Sequence, residues 1–221
     1  MSDALALFAK APVPGRVKTR LQSALSPEQA ATLHEAFVED AWEGLQRLGR
    51  ATVYLFSDID WPRFRELAGA GRVSLQHGED LGRKMLHCFE DLHAQGHDRV
   101  VIVGSDSPTL PGQYLDQAFD ALDEVDAVLG PAEDGGYYAV GCRRPRSDMF
   151  DDVAWSSLET LIQTEAAFRR AGLRSARLPS WYDVDTPGDL VRLAADPCLP
   201  AHTKDWLGRN DALVAALKPT A

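Results

Sequence analysis

Short apolar runs alternate along the chain with longer segments in which apolar residues recur every three or four positions. The first pattern is typical of buried strands and the second of amphipathic helices. Strands are predicted at residues 4–8, 53–56, 73–75, 99–103, 127–129, 137–140 and 175–178. Helices are predicted at residues 27–48, 61–67, 81–92, 114–122, 158–171 and 187–195, and the segment 206–217 has helical spacing. This alternation predicts an α/β fold in which helices cover both faces of a mostly parallel central sheet.

Length, charge and cysteine content narrow the class of protein. The 221 residues are enough for one sizeable α/β domain. The net charge of −10 argues against broad nucleic-acid binding, which needs an excess of Lys and Arg. No apolar run approaches the roughly 20 residues that span a bilayer, and neither a signal peptide, a zinc site nor a disulfide framework is indicated. We expect a cytoplasmic monomer or homodimer with no nucleic-acid or membrane partner.

The segment after the first predicted strand carries the most informative polar pattern. Two prolines and a glycine between residues 10 and 20 disfavour both helix and strand, so this segment is expected to form a loop. In an open α/β sheet, ligands bind at the carboxyl ends of the strands. The loop carries four cations, Lys10, Arg16, Lys18 and Arg20, on an otherwise acidic chain. They indicate a polyanion such as a nucleoside diphosphate or triphosphate, and the alternative is a solvated basic turn.

Two common phosphate-binding motifs do not fit this loop. A P-loop has glycine immediately before its lysine, whereas Gly15 stands three residues before Lys18. The glycine-rich fingerprint of a dinucleotide-binding Rossmann domain is also absent after the first strand. Any phosphate site in this loop must therefore be of another type.

Acidic residues follow two strand-like segments. Asp106 lies just after the predicted strand at residues 99–103, where its carboxylate can hold a divalent cation or form an Asx turn. Asp183 and Asp185 lie two residues apart in an extended segment, so their side chains point the same way. Asp106 and Asp185 together would supply the one or two carboxylates that Mg²⁺ uses beside substrate phosphates. Asp189 is instead expected in a helix capping box.

A polar loop before the predicted strand at residues 137–140 contains Asp134, Gly135 and Gly136. The two glycines allow a ligand to approach the backbone closely, and Asp134 can bond a hydroxylated acceptor. A plain hairpin or a bulge is the competing interpretation of the same residues.

The predicted helix at residues 81–92 begins with a second polar segment. Asp80 is expected to be its N-cap. The exposed backbone amides near Gly82, together with Arg83, can also meet a base or a phosphate.

The histidines show no paired metal-binding spacing. His34, His87 and His93 fall within predicted helices. They are interpreted as surface or packing residues rather than ligands.

Three motifs together resemble those of the nucleotide-diphospho-sugar transferase (GT-A) superfamily. They are Lys-x4-Gly-x2-Lys-Thr-Arg-Leu at residues 10–21, Gly-Ser-Asp-Ser-Pro at 104–108 and Asp-Val-Asp-Thr-Pro-x-Asp-Leu at 183–190. The resemblance extends over about residues 4–195. It is strongest to short bacterial GT-A-like transferases, which are similar to 2-phospholactate guanylyltransferases and molybdenum-cofactor nucleotidyltransferases.

The resemblance implies one GT-A domain over residues 1–221. It places a nucleotide-binding half at about 1–110, an acceptor-binding half at about 111–195 and a helical tail at 196–221. It implies Mg²⁺ or Mn²⁺ held by Asp106 and Asp185, an acceptor held by residues 134–136, and catalytic roles for Lys18, Arg20 and Asp106. The implied nucleotide contacts are Lys10, Pro14, Gly15, Lys18, Arg20, Asp80, Gly82, Arg83 and Ser105.

Two departures from the superfamily pattern bear on the reaction. The basic loop lacks the Gly-x-Gly-Thr-Arg core of many sugar nucleotidyltransferases, and Asp106 lacks the second Asp, two residues on, of most GT-A glycosyltransferases. The second departure favours metal-dependent nucleotidyl transfer from a nucleoside triphosphate to a small phosphorylated or hydroxylated acceptor. A glycosyltransferase with a nucleotide-sugar donor and a non-catalytic nucleotide-binding regulator are the alternatives.

Overall fold

The computed structural model describes residues 1–217, which form a seven-stranded sheet with flanking helices. The strands are β1 (Asp3–Ala9), β2 (Thr52–Ser57), β3 (Val73–Leu75), β4 (Arg99–Gly104), β5 (Ala127–Pro131), β6 (Tyr137–Cys142) and β7 (Ser175–Arg177). Their order in the sheet is β3-β2-β1-β4-β6-β5-β7. Within this sheet β6 is antiparallel to both of its neighbours and the remaining pairs are parallel. The seven predicted strands and the mostly parallel sheet are confirmed.

Strand β6 is antiparallel because it follows β5 after a loop of only a few residues. A parallel crossover needs a connection of a dozen or more residues, so this short loop must turn the chain back. Its residues, 132–136, therefore lie at the same edge of the sheet as the carboxyl ends of β1 and β4. The predicted acceptor loop and the basic loop consequently open on one edge.

Helices cover both faces of the sheet, as predicted. The helices of the described residues are α1 (Pro27–Leu48), α2 (Pro62–Ala68), α3 (Leu81–Ala94), α4 (Gly112–Ala121), α5 (Thr160–Arg170), α6 (Pro187–Ala194), α7 (Ala201–Arg209) and α8 (Asp211–Ala216), of which α1 to α5 pack on the sheet. One core, which includes Phe64 and Phe119, joins the sheet to α1, α2 and α4. The core on the opposite face includes Phe89 of α3 and Phe168 of α5.

A third core lies outside the sheet, where α6, α7 and α8 pack against α1. It contains Phe37 of α1, Trp206 of α7 and Val184 from the segment before α6. It also contains Leu21 from the short 3-10 helix Thr19–Ser23 that ends the basic loop. This core therefore holds the end of the basic loop against the segment that carries the predicted second metal ligand.

Local signals at the helix ends behave as the sequence predicts. The capping boxes of Ser26 with Gln29 and of Thr186 with Asp189 both form. The predicted helical spacing at 206–217 corresponds to parts of α7 and α8, whereas residues 218–221 of the predicted tail lie outside the described residues. Among residues 1–217, no helix combines the length and the apolar character needed to cross a membrane.

Candidate active site

Two loops open at the carboxyl ends of the adjacent central strands β1 and β4. The basic loop (residues 10–20) follows β1, and Ser105, which is buried, directly follows β4. The chain continues from β1 to β2 on one side, while β4 lies on the other side, so the strand order reverses at this point. In open α/β sheets, the crevice at such a reversal is where ligands bind.

Residues 181–185 run along the same edge, where Trp181 donates its backbone N–H to the carbonyl of Pro131 at 3.0 Å, and buried residues alternate with partly exposed ones along this segment. Val184 donates its backbone N–H to the carbonyl of Asp106 at 2.9 Å, and its side chain is fully buried in the third core. Side chains alternate in an extended segment. Burying Val184 therefore turns Asp183 and Asp185 away from that core and toward the crevice.

Lys18 links Asp106 to Asp185. Its ammonium donates to the carbonyl of Val184 at 2.8 Å and to Asp185 Oδ1 at 3.0 Å. It also lies 2.5 Å from Asp106 Oδ1, in an ion pair that leaves this oxygen without a partner of hydrogen-bond geometry. The ring of Phe37 lies below the ammonium, 5.5 Å from its centroid. The two predicted metal ligands thus meet around a cation whose side chain is only 3% exposed.

The backbone of Lys18 is unusual as well. Its φ of 47° and ψ of 41° lie in the left-handed region, which residues other than glycine rarely adopt. Such a conformation costs on the order of 1–3 kcal/mol and persists where surrounding contacts fix it. Here the buried contacts of the ammonium supply that constraint.

Lys18 and Asp106 hold each other in the charged form. Burial acts to lower the pKa of Lys18, but the charges of Asp106 and Asp185 outweigh it, so this pKa is raised. Burial likewise acts to raise the pKa of Asp106, but the charge of Lys18 outweighs it, so that pKa is lowered. Oδ1 of Asp106 is buried while 47% of the side chain remains exposed. The carboxylate therefore has one oxygen against Lys18 and its other side toward the crevice.

His34, which the sequence predicts to be a surface or packing residue, lies at the site instead. Its ring is buried, and Nε2 lies 2.9 Å from the carbonyl of Lys10. Because a carbonyl only accepts hydrogen bonds, Nε2 carries the proton and the neutral ring has its lone pair on Nδ1. Nδ1 lies 3.7 Å from Asp106 Oδ1 and has no hydrogen-bond partner within residues 1–217. Two buried acceptors therefore face each other, a position that favours a donor or a cation.

A signal for His34 is present in the sequence. His34 precedes Phe37 and Val38 by three and four positions, which places it on the apolar face of α1. Burial lowers its pKa, so the ring is neutral at neutral pH. The sequence signal is therefore an ionisable residue on the apolar face of the helix that follows the basic loop, although helical spacing alone does not distinguish such a residue from the core.

Ser107 and Asp183 form a second polar pair in the crevice. The Ser107 hydroxyl donates a short hydrogen bond to Asp183 Oδ1. Burial raises the pKa of Asp183 to about 7, against the hydrogen bond from Ser107 and together with the charges of Asp106 and Asp134. The sequence requires only one carboxylate from residues 183–185, whereas the structure brings both to the site.

The other three cations of the basic loop face solvent. Lys10 is exposed, and the side chains of Arg16 and Arg20 are 61% and 65% exposed. Arg20 lies 3.7 Å from Asp185 Oδ2, and Arg16 lies 3.9 Å from Asp58 Oδ2. These separations are long for ion pairs, so both guanidinium groups remain accessible to an anion.

The tip of the basic loop is formed by Pro14 and Gly15, which are both exposed. Gly15 has a φ of +80°, a conformation that favours glycine. The base of the loop is fixed by Asp58, whose Oδ1 accepts the backbone N–H of Ala11 at 2.7 Å. Asp58 follows β2 and is a site-forming residue that the motifs do not include.

The residues predicted at the start of α3 have structural partners. Asp80 is the N-cap, as predicted, and its Oδ1 accepts the N–H of Arg83 at 2.8 Å. The side chain of Arg83 lies 3.5 Å from Asp151. A Cβ on Gly82 would lie 2.6 Å from the indole of Trp155, so packing requires this glycine. A cavity of about 140 Å³ lies beside these residues, and their roles as nucleotide contacts remain predictions.

The predicted acceptor loop forms a tight turn. Asp134 Oδ1 accepts the N–H of Gly136 at 2.9 Å. Gly135 has a φ of +89°, and a Cβ there would lie 2.3 Å from the carbonyl oxygen of Leu158. The close backbone approach at Gly135 is therefore made by the chain itself. Contact of this loop with an acceptor remains a prediction.

Asp106 and Asp185 are the residues that could hold a divalent cation. Within residues 1–217, no group of three or more His, Cys, Asp or Glu side chains has the arrangement of a metal site. Mg²⁺, however, commonly takes one or two protein carboxylates and completes its shell with water and substrate phosphates. The Lys18 ammonium lies between these two carboxylates, in the position where a metal ion could bind both. The donor set fits Mg²⁺ or Mn²⁺ if this ammonium moves aside.

Comparisons with known proteins bear on the reaction. Residues 41–157 match the family DUF2064, which is described as an uncharacterized protein conserved in bacteria. A phosphoenolpyruvate guanylyltransferase from Sphaerobacter thermophilus is 26% identical over 180 residues, which cover 80% of this chain and 86% of the relative. A 2-phospho-L-lactate guanylyltransferase from Methanothermobacter thermautotrophicus is 27% identical over 177 residues, which cover 78% of this chain and 76% of the relative.

A solved structure is similar over the whole chain. It is a Desulfovibrio desulfuricans protein assigned to the nucleotide-diphospho-sugar transferases, with 36% sequence identity, a TM-score of 0.89 and coverage of 100% of each chain. The resemblance to GT-A transferases inferred from the three sequence motifs is thereby confirmed. The chain is a transferase with the GT-A fold, and it belongs to the DUF2064 family.

Proposed function

We propose that this protein is a metal-dependent nucleotidyltransferase that joins a nucleoside monophosphate unit to a small phosphorylated or hydroxylated acceptor. The observation that carries this proposal is the charged cluster of Lys18, Asp106 and Asp185 beside the exposed Arg16 and Arg20. Arginines bind phosphate oxygens, and carboxylates bind the metal ion that accompanies a triphosphate. The two relatives named as guanylyltransferases support the same reaction class.

The basic loop would bind the triphosphate. Lys10, Arg16 and Arg20 face solvent at the carboxyl end of β1, where they can neutralise the charge on the β- and γ-phosphates. Cations fixed in place before the reaction stabilise charge that develops on the leaving pyrophosphate. A Mg²⁺ ion held by Asp106 and Asp185 would supply Lewis-acid polarisation of the phosphate oxygens.

The transfer itself requires an acceptor oxygen in line with the leaving group. That oxygen forms a bond to the α-phosphorus while the bond from this phosphorus to the bridging β-phosphate oxygen breaks, and pyrophosphate leaves. A phosphate oxygen of the acceptor needs no deprotonation, whereas a hydroxyl must lose its proton during the attack. Asp134, exposed at the same sheet edge, would orient the acceptor.

The names of the two relatives support a proposal for the acceptor class. Phosphoenolpyruvate and 2-phospho-L-lactate, named for the two relatives, are both small phosphorylated carboxylic acids. We extend this class to the present chain, with GTP as the first donor to test.

Pyrophosphate release tests this function directly. The protein is incubated with Mg²⁺, one nucleoside triphosphate at a time, and phosphoenolpyruvate or 2-phospholactate. We expect pyrophosphate only when donor, acceptor and metal are all present. Asp106→Asn should abolish release, and Asp205→Asn on the exposed face of α7 is the matched control that should retain it. Pyrophosphate release that Asp106→Asn leaves intact would contradict the assigned site.

A glycosyltransferase is the second candidate, because the 36% identical protein is assigned to the nucleotide-diphospho-sugar transferases. It would release a nucleoside diphosphate from a nucleotide-sugar rather than pyrophosphate from a triphosphate. Nucleotide binding without either product would instead identify a non-catalytic regulator.

A further inference from the structure

On the basis of the metal-dependent function proposed above, we infer that Lys18 is a built-in counter-cation for Asp106 and Asp185. A divalent cation that took the two carboxylate oxygens now in contact with this ammonium would displace it. Lys18 thereby couples metal binding to nucleotide binding, because the displaced ammonium needs another anion. This role differs from that of an exposed lysine that binds phosphate directly.

The position of the ammonium supports this role. It contacts one oxygen of each carboxylate, at 2.5 Å for Asp106 and 3.0 Å for Asp185, and donates to the Val184 carbonyl at 2.8 Å. Two hydrogen bonds and one ion pair thus surround the ammonium, and its burial keeps it from a phosphate in this arrangement. The side chain is 3% exposed, and the apolar ring of Phe37 lies beneath it. A lysine placed in this way neutralises two carboxylates that would otherwise repel each other.

An ammonium and a divalent cation cannot share this position. Mg²⁺ binds carboxylate oxygens at about 2.0–2.1 Å, closer than the 2.5 Å at which Lys18 already contacts Asp106 Oδ1. Two cations on the same oxygen repel strongly where water is excluded. A divalent cation that used the Oδ1 atoms of Asp106 and Asp185, which the ammonium now contacts, would therefore require the Lys18 side chain to leave.

The backbone of Lys18 is consistent with such a movement. Its left-handed conformation (φ 47°) is one that residues other than glycine rarely adopt, and the contacts of its ammonium fix it. The exposed tip of the basic loop precedes it, and Arg20, 65% exposed, follows it. When the ammonium is displaced, a triphosphate held by Arg20 provides the new anion at short range. Metal and nucleotide should consequently bind with positive coupling.

Calorimetry with Mn²⁺ alone tests the displacement. In Lys18→Met the apolar stem over Phe37 is kept and the ammonium is removed. We expect this variant to bind Mn²⁺ at least about tenfold more tightly than the wild-type protein in the absence of nucleotide. The matched control is Lys204→Met, which removes an exposed lysine charge from α7, away from both carboxylates, and its Mn²⁺ affinity should change less than about threefold. Unchanged or weaker binding in Lys18→Met would overturn the inference.

Lysine labelling of the wild-type protein gives a second test, which does not depend on whether a variant folds. Lys18 is buried, whereas Lys204 is exposed on α7. Reductive methylation followed by peptide mass spectrometry should leave Lys18 protected without metal and label it several-fold faster at saturating Mn²⁺. Lys204 should be labelled equally in both conditions. Protection of Lys18 that persists at saturating Mn²⁺ would show that the metal binds without displacing it.

These measurements are independent of turnover. If the protein binds Mn²⁺ with the expected Lys18 dependence but releases no pyrophosphate with any acceptor, the transfer reaction fails and the counter-cation role stands. If pyrophosphate is released while Lys18 stays protected, the reaction stands and the counter-cation role fails.

Discussion

The carboxylate of Asp40 on α1 accepts the backbone N–H of Thr203, 2.7 Å away, at the start of α7. Its other oxygen accepts the N–H of His202 at 2.9 Å. Helix α7 has no side-chain cap of its own, since it begins after Pro200. The buried Asp40 carboxylate, on a helix far away in the sequence, thus caps α7 and holds the C-terminal helices against α1.

Asp40→Ala should therefore destabilise the protein by about 2 kcal/mol or more. The substitution leaves two backbone N–H groups at the helix start without partners, and the loss of an N-cap alone costs roughly 0.5–2 kcal/mol. Urea denaturation measures the change. Asp205→Ala, which removes an exposed ion pair with Arg209 on the same helix, should cost less than about 0.5 kcal/mol. Equal losses in the two variants would contradict the capping role.

His202 makes the docking of α7 dependent on pH. A hydrogen bond to Glu43 raises its pKa, against partial burial and together with the charges of Glu39 and Asp40. A raised pKa stabilises the folded state fully below the unfolded value, near 6.5, and this contribution is lost as the pH rises through the folded pKa. The melting temperature of the wild-type protein minus that of His202→Gln should be largest below about pH 6.5 and should fall above it. A difference that is constant from pH 5.5 to 9 would rule this out.

Arg99 anchors the end of β4 that lies opposite the crevice. Its guanidinium contacts both oxygens of Asp3 at 2.7 Å and lies 2.6 Å from Asp123. Arg99→Met leaves a buried carboxylate without its main partner, which costs roughly 3–5 kcal/mol. Chemical denaturation should show this loss, and adding Asp3→Asn to the same variant should recover part of it. Nucleotide affinity should change less than about twofold, because the site lies at the other end of the strand; a larger change would contradict this separation.

Glycine is needed at positions 15 and 135 of the crevice loops for different reasons. Backbone conformation favours it at both positions, and steric overlap with the Leu158 backbone adds a second reason at Gly135. Both have positive φ, +89° and +80°, but a Cβ on Gly135 would overlap the Leu158 backbone, whereas a Cβ on Gly15 meets nothing within 4 Å. Gly15→Ala should cost about 1 kcal/mol from backbone strain alone. Gly135→Ala should cost at least about twice as much, since backbone atoms must also shift. Thermal denaturation compares the two, and equal effects would exclude the steric contribution.

Much of the fold could be predicted from the sequence because the decisive signals are local. After their first residues, Asp3 and Arg99, strands β1 and β4 are continuous apolar runs, as expected for strands buried on both faces. The two capping boxes mark helix starts within four residues. The antiparallel direction of β6 follows from the short loop before it. This signal lies in the length of the connection and not in the hydrophobic periodicity.

The site was less predictable because its partners are distant in the sequence. Asp106 and Asp185 follow extended segments, so their position at one sheet edge could be anticipated. The position of the Lys18 ammonium between them could not be anticipated, because a lysine in a basic loop has the same local sequence pattern whether it faces phosphate or is buried. Its carbonyl partner, on Val184, lies 166 residues further along the sequence. His34 was interpreted as a surface or packing residue for a different reason, since its helical spacing matches that of the core residues around it.

Because Lys18 is buried, we expect the basic loop to bind phosphate mainly through Arg20. Its side chain is 65% exposed and lies 3.7 Å from Asp185, so it can reach a phosphate without breaking a buried contact. Arg20→Ala should weaken binding of a non-hydrolysable nucleoside triphosphate by at least about tenfold, because hydrogen bonds to charged groups contribute roughly 1.5–3 kcal/mol. The apo protein should melt within about 2 °C of the wild-type protein, since an exposed ion pair contributes little to stability. Calorimetry measures the affinity, and Arg209→Ala, an exposed arginine on α7, controls for the change in net charge. If both variants bind the nucleotide as tightly as the wild-type protein, Arg20 does not contact phosphate and the basic loop does not bind it through this residue.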